Sequence, residues 1–141
     1  MKKIFLTLLL TISFNYASAD ENTPVNFHKD KHLGQYNFTI KTTYGGRADV
    51  PVNLKICFVA GGKMDQSALG KFEEGCVGKK LRDTQTELEY FVECNGKPRV
   101  SIAWRRLSGT DFSNTSISGE TLIESTYRYV GPTCDSDAVK Q

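Results

Sequence analysis

Histidine is nearly absent from this chain: two residues, His28 and His32, are all it has, beside a single tryptophan, two methionines and four prolines. The pair stands in FHKDKHLGQYNF, four apart, a spacing that could put both imidazoles on one helix face to hold a metal. A metal needs a third ligand, and the pattern places no acid or thiol to supply it, so the stretch reads as an exposed polar lead-in. Asp30 between the histidines reads the same way as an acid/base partner. There is no G-x-S-x-G elbow and no histidine at a strand end to serve a nucleophile. There is no C-x-x-C pair either, which excludes a thioredoxin-type redox motif and weakens any zinc reading. These absences point away from an enzyme, and neither a cofactor nor a metal is expected.

Long apolar runs are also missing, with one exception at the start. Met1-Lys2-Lys3 is a short basic stretch, Ile4 to Phe14 is apolar, and Ala17-Ser18-Ala19 is a small-residue cleavage site before Asp20. That order is a secretory signal peptide, too short in its core for the ~20 residues a membrane span requires. The expectation is cleavage between Ala19 and Asp20, localisation to the periplasm or outside the cell, and no membrane span once the leader is gone. Removal of Lys2 and Lys3 lowers 18 Lys+Arg to 16, level with the 16 Asp+Glu. With no net charge, the mature chain carries no electrostatic signature for nucleic acid.

What the exported part does contain is cysteine: Cys57, Cys76, Cys94 and Cys134. An even number in an oxidising compartment reads as two disulfides, with three connectivities open.

Strand periodicity is clear. Tyr36, Phe38, Ile40, Thr42 and Tyr44 alternate with polar residues, Gly45-Gly46 supplies a turn, and Val50, Val52, Leu54, Ile56 and Phe58 repeat the alternation. Residues 63–75, KMDQSALGKFEEG, suggest at most one or two helical turns. Val77 to Arg82 and Glu87 to Cys94 follow, and setting Leu81 opposite Leu88 puts Val77 opposite Val92 on one apolar face. In that register Cys76 points to the wet face and Cys94 to the buried one, which favours Cys57 with Cys76 and Cys94 with Cys134. Arg99 to Leu107, Asp111 to Ser118 and Leu122 to Val130 complete about seven strands, the polar middle one reading as an edge or bulged strand. The expected fold is all-β: a single-domain antiparallel meander forming a small barrel or sandwich, braced by two disulfides. Its expected parts are a cleaved leader (1–19), a polar lead-in (20–33), the β domain (34–134) and a flexible tail (135–141).

Gly34-Gln35-Tyr36 opening the first strand, Cys57 ending the second, Cys76 before the third, Cys94 closing the next, and the terminal YRYVGPTC together resemble the bacterial domain of unknown function (DUF) 3617 family. The likeness runs from Gly34 to Cys134 and lies in pattern and order. It implies a small exported protein and no assigned activity, substrate or cofactor.

Two further features admit a functional reading. Trp104-Arg105-Arg106 has the composition of an interface hot spot, although an inward Trp beside an outward Arg is the commoner arrangement. Tyr36, Phe38, Tyr44, Tyr90, Trp104, Tyr127 and Tyr129 share inward parity and could line a ligand cavity or simply fill a core. The expectation is a non-catalytic binding or interaction module with a periplasmic protein partner. A carrier of a small apolar ligand in a barrel interior and an inhibitor of a cell-envelope enzyme are the alternatives.

Overall fold

The computed structural model describes residues 17–19, 26–27, 32–60 and 72–141. The expected leader up to residue 16, the Asp20 side of its expected cleavage site, His28, Asp30 and most of the stretch expected to hold helical turns lie outside these residues. The described chain forms ten strands: β1 (Ala17–Ala19), β2 (Gly34–Tyr44), β3 (Arg47–Ala48), β4 (Val52–Phe58), β5 (Cys76–Asp83), β6 (Glu87–Cys94), β7 (Lys97–Arg106), β8 (Phe112–Ser118), β9 (Thr121–Gly131) and β10 (Val139–Lys140). No helix is present among the described residues.

One sheet holds them all, in the order β1-β5-β6-β7-β8-β9-β2-β4-β10, with β3 pairing β2 off that path. Every pairing is antiparallel except β4 with β10. The path is open, and its curl supplies the core. Phe58 on β4 and Phe112 on β8 are three ladder steps apart, ~14 Å in a flat sheet, yet their ring centroids are 6.4 Å apart. Twist and coiling have folded the sheet over its own inner face.

That face is the one the alternation marks: Tyr36, Ile56, Phe58, Leu88, Tyr90, Trp104, Phe112 and Tyr127 are buried in one cluster. Phe27 joins them from the stretch read as polar lead-in. Its ring lies 6.3 Å from that of Trp104, and its carbonyl accepts Arg106 Nη2 at 2.8 Å. Asp83 Oδ1 accepts the N–H groups of Asn26 and Phe27. Phe27 therefore extends the domain back beyond Gly34.

At the start of β2, Gly34 has φ +128°, and a Cβ there would stand 2.2 Å from the Gly131 carbonyl oxygen. Only glycine fits this crossing. Just beyond it, Gln35 pairs with Gly131 but Tyr36 with Tyr129, a bulge that leaves Val130 over.

Three expectations are corrected. The disulfides are Cys57–Cys134 and Cys76–Cys94, with Cα separations of 5.8 and 4.0 Å, in place of Cys57 with Cys76 and Cys94 with Cys134. The reason is register. Val92 faces Gly78, one residue away from Val77, and a bulge at Leu81 then lets Arg82 face Glu89 and Asp83 face Leu88. A one-residue slip inverts every side chain, so Cys76 comes to lie directly across from Cys94. Secondly, the tail is ordered: Val139 and Lys140 add to β4 beside Ile56 and Cys57, held by Cys134 and by Gln35, whose Oε1 accepts the Asp135 N–H at 2.6 Å. Thirdly, β8 is an interior strand without register shifts, paired on both sides by β7 and β9. Its polar Asn114 and Ser116 face inward opposite Ser125 and Ile123, where Ser125 is buried.

Two disulfides are the chemistry of an oxidising, extracellular-type environment, and among the described residues no helix is long and apolar enough to cross a membrane.

Candidate interaction edge

The aromatic residues singled out by parity turn out to pack on one another. Phe112 stacks on Tyr127 at 4.4 Å, Phe38 lies 4.7 Å from Tyr127, and Tyr36 meets Phe58 and Tyr129 at 5.1 and 5.2 Å. Tyr36 is 0 % exposed, and its hydroxyl donates to the His32 carbonyl at 2.9 Å. Burial pushes the Tyr36 and Tyr127 hydroxyls up to about 12. It raises Tyr90 as well, against a hydrogen bond from Trp104. Tyr44 alone departs from the set, 65 % exposed beyond the end of the core. Trp104 is inward and buried, Arg105 pairs with Glu87 and Glu89, and Arg106 sits 5.2 Å above the Phe27 ring. Both arginines are engaged in holding the sheet, which leaves the WRR run little to offer a partner.

Among the described residues, the backbone groups left without ladder partners lie at the sheet's margins. An edge strand presents unpaired N–H and C=O groups, and proteins guard such edges with charge or cover. The β5 edge is guarded by charge: Lys79 pairs with Glu93 and Lys80 with Asp83, while β1, which lies on Gly78–Lys80, belongs to the expected leader and covers this edge only until cleavage. The other edge has little. β10 covers Ile56 and Cys57 only, and ahead of it Val50, Val52 and Leu54 are 86, 50 and 45 % exposed.

The backbone of this window aims outward at alternate residues. The Gln141 N–H donates to the Cys57 carbonyl and the Val59 N–H to the Gln141 carbonyl, so odd-numbered residues of β4 face away from β2. Asn53 and Lys55 follow that alternation. Ile56 faces β2, so the Val139–Ile56 pairing must use Lys55 and Cys57, and it takes the Lys55 carbonyl. Left without a backbone partner among the described residues are the Lys55 N–H, both backbone groups of Asn53 and the Pro51 carbonyl.

A groove of about 530 Å³, lined by Asn37, Asn53, Leu54, Lys55, Asp137 and Val139, runs beside these groups. Its floor is fixed. Thr39 Oγ1 donates to Asn53 Oδ1 at 2.7 Å, and Lys55 Nζ reaches Asp135 at 2.9 Å and Asp137 at 3.3 Å. The Asp135 carboxylate, then Asp137, holds the Lys55 ammonium above its ordinary value, and Lys55 holds Asp135 below the carboxylate range.

No protein family, curated protein or solved structure matches this chain.

The arrangement can therefore offer two backbone donors, two acceptors and an apolar strip, a chemistry of strand pairing. Among the described residues no three His, Cys, Asp or Glu side chains are grouped to hold a metal ion. Sequence reasoning passed over this edge, although one signal was present. Pro51 immediately precedes Val52, and proline in sheets is confined to edge strands, strand starts and bulges.

Proposed function

We propose that this protein is a non-catalytic binding module, exported to the periplasm as its leader implies, that takes up an extended segment of a protein partner as an added strand on β4. The observation that carries this reading is the unpaired, apolar stretch from Pro51 to Lys55 beside the Asn53–Asp137 groove. Strand addition draws affinity from main-chain hydrogen bonds and specificity from side-chain pockets. β10 already uses this edge in the same manner.

The test is a photo-crosslinking residue at position 53, in the protein exported by a bacterial host, with position 124, exposed on the interior strand β9, as control. A discrete crosslinked band specific to position 53 supports the reading. No band there, or equal bands at both positions, refutes it.

A further inference from the structure

We propose that the strand taken up by this edge is the β4 of a second copy of the same chain, running antiparallel about a two-fold axis at Asn53. The inference rests on the edge-binding reading and supplies its partner.

The open hydrogen-bonding groups are self-complementary in a single register. With Asn53 opposite the partner's Asn53, the two residues exchange both N–H···O bonds as a hydrogen-bonded antiparallel pair. Each Lys55 then faces the partner's Pro51, and its N–H finds the proline carbonyl. Pro51 has no N–H to offer, and the Lys55 carbonyl opposite needs none because β10 has already taken it. Four bonds form, and every open group between Pro51 and Lys55 is used.

Shifting the register by two residues breaks this match. Asn53 opposite Pro51 leaves the Asn53 carbonyl without a donor, and Asn53 opposite Lys55 asks for a carbonyl that is already occupied. In the matched register Val52 and Leu54, both half-exposed on the same face, stand across from the partner's Leu54 and Val52. They form non-hydrogen-bonded pairs, the closer kind, in which apolar side chains meet best. No charged residue stands opposite one of like sign, since Lys55 faces proline.

The window is limited at both ends. β10 closes it at Ile56. At the other end the pairing of β2 changes register by one residue between Ile40–Val52 and Thr43–Ala48, so the chain leaves the line of β4. Five residues a side is well below the roughly 20–30 of a standard interface, so the dimer is a weak one that assembles as concentration rises. A two-fold contact of this kind is isologous and closes at two copies.

The experiment uses the protein as exported and purified. Sedimentation is expected to shift from monomer toward dimer between about 10 µM and about 1 mM, and Leu54→Lys is expected to abolish the shift. Across a hydrogen-bonded antiparallel pair the Cα separation is ~5.5 Å, inside the ~4.4–6.8 Å range of a disulfide. Asn53→Cys should therefore oxidise to a covalent dimer at concentrations where Glu124→Cys, exposed on the interior strand β9, stays monomeric. Peptide mapping that finds both native disulfides in each variant separates a lost contact from a lost fold. A protein that stays monomeric at about 1 mM, or equal crosslinking of the two cysteine variants, overturns the proposal. The crosslink at position 53 distinguishes the two readings: a band at twice the chain mass supports the second copy, and a band of another mass overturns it while leaving the edge reading intact. No band at position 53 sinks both.

Discussion

Cutting the Cys57–Cys134 bond should cost more than cutting Cys76–Cys94, and the structure says by how much. The bonds close sequence separations of 77 and 18 residues. Loop-closure entropy in the unfolded chain then makes them worth ~4.5 and ~3.2 kcal/mol. For a domain of this length the doubly substituted chains Cys57→Ala/Cys134→Ala and Cys76→Ala/Cys94→Ala should lose about 15 °C and about 10 °C in Tm. Urea titrations followed by tryptophan fluorescence, which reports the buried Trp104, would give both free energies. Hydrogen exchange adds a local readout. Without Cys134 the tail is held by the Gln35–Asp135 bonds, the exposed Lys55 ion pairs with Asp135 and Asp137 and the short β10 pairing, so the Val139 and Gln141 amides should exchange much faster than those of β6. If the shorter loop proves the costlier to open, or the tail amides stay protected, then loop entropy is the wrong account of the brace.

Three further outcomes are expected. Gly34→Ala drives a Cβ into the Gly131 carbonyl and should destabilise by at least ~3 kcal/mol, whereas Gly46→Ala, at φ +79° with open space around it, should cost ~1 kcal/mol; comparable losses would show that β2 and β9 can part at that crossing. Tyr127 ionises near 12 in the folded chain and near 10 when unfolded, so its contribution is intact below pH 10 and disappears by pH 12, ~2.7 kcal/mol in all. Tyr127→Phe should flatten that alkaline slope in a pH series of unfolding curves. Asp111 Oδ1 accepts the Tyr129 N–H at 2.9 Å, and this bond first, then Arg128, holds its carboxyl below the usual range. The resulting stability is present above about pH 4 and lost as pH falls through the depressed folded value. Asp111→Ala should cost ~1–2 kcal/mol at neutral pH and leave less acid sensitivity behind.

Much of this architecture is legible in the chain because period-two alternation is a local signal. β2, β4, β6, β7 and β9 carry it, and the faces it assigns to Phe38, Ile56, Trp104 and Tyr127 are the faces they occupy. The errors arise where a local signal is silent. Leu81 is apolar and sits in step with Leu88, yet it occupies a bulge, and nothing in KKLRD marks the extra residue. That one residue reversed the cysteine parity and with it the disulfide pairing. β8 looked marginal because Asn114 and Ser116 occupy inward positions, a choice that makes sense only with Ser125 beside them across the ladder. Phe27 lies in a polar neighbourhood, and its burial depends on Asp83 and Arg106, both more than fifty residues away. The interaction edge is a property of strand order, which alternation does not encode. Pro51 is the only local trace of it.

The nested disulfide layout also bears on how the chain matures. A polypeptide delivered into an oxidising space amino terminus first presents Cys57, then Cys76 and Cys94, and its correct partner for Cys57 arrives last. Throughout that interval Cys57 is a thiol without its native partner, and a bond to Cys76 is the one expected first. Chains acid-quenched during export should accordingly show a Cys57–Cys76 species, visible by peptide mapping, which a disulfide isomerase clears. Direct appearance of the native pairs would show instead that β5 and β6 zip together before any sulfur is oxidised.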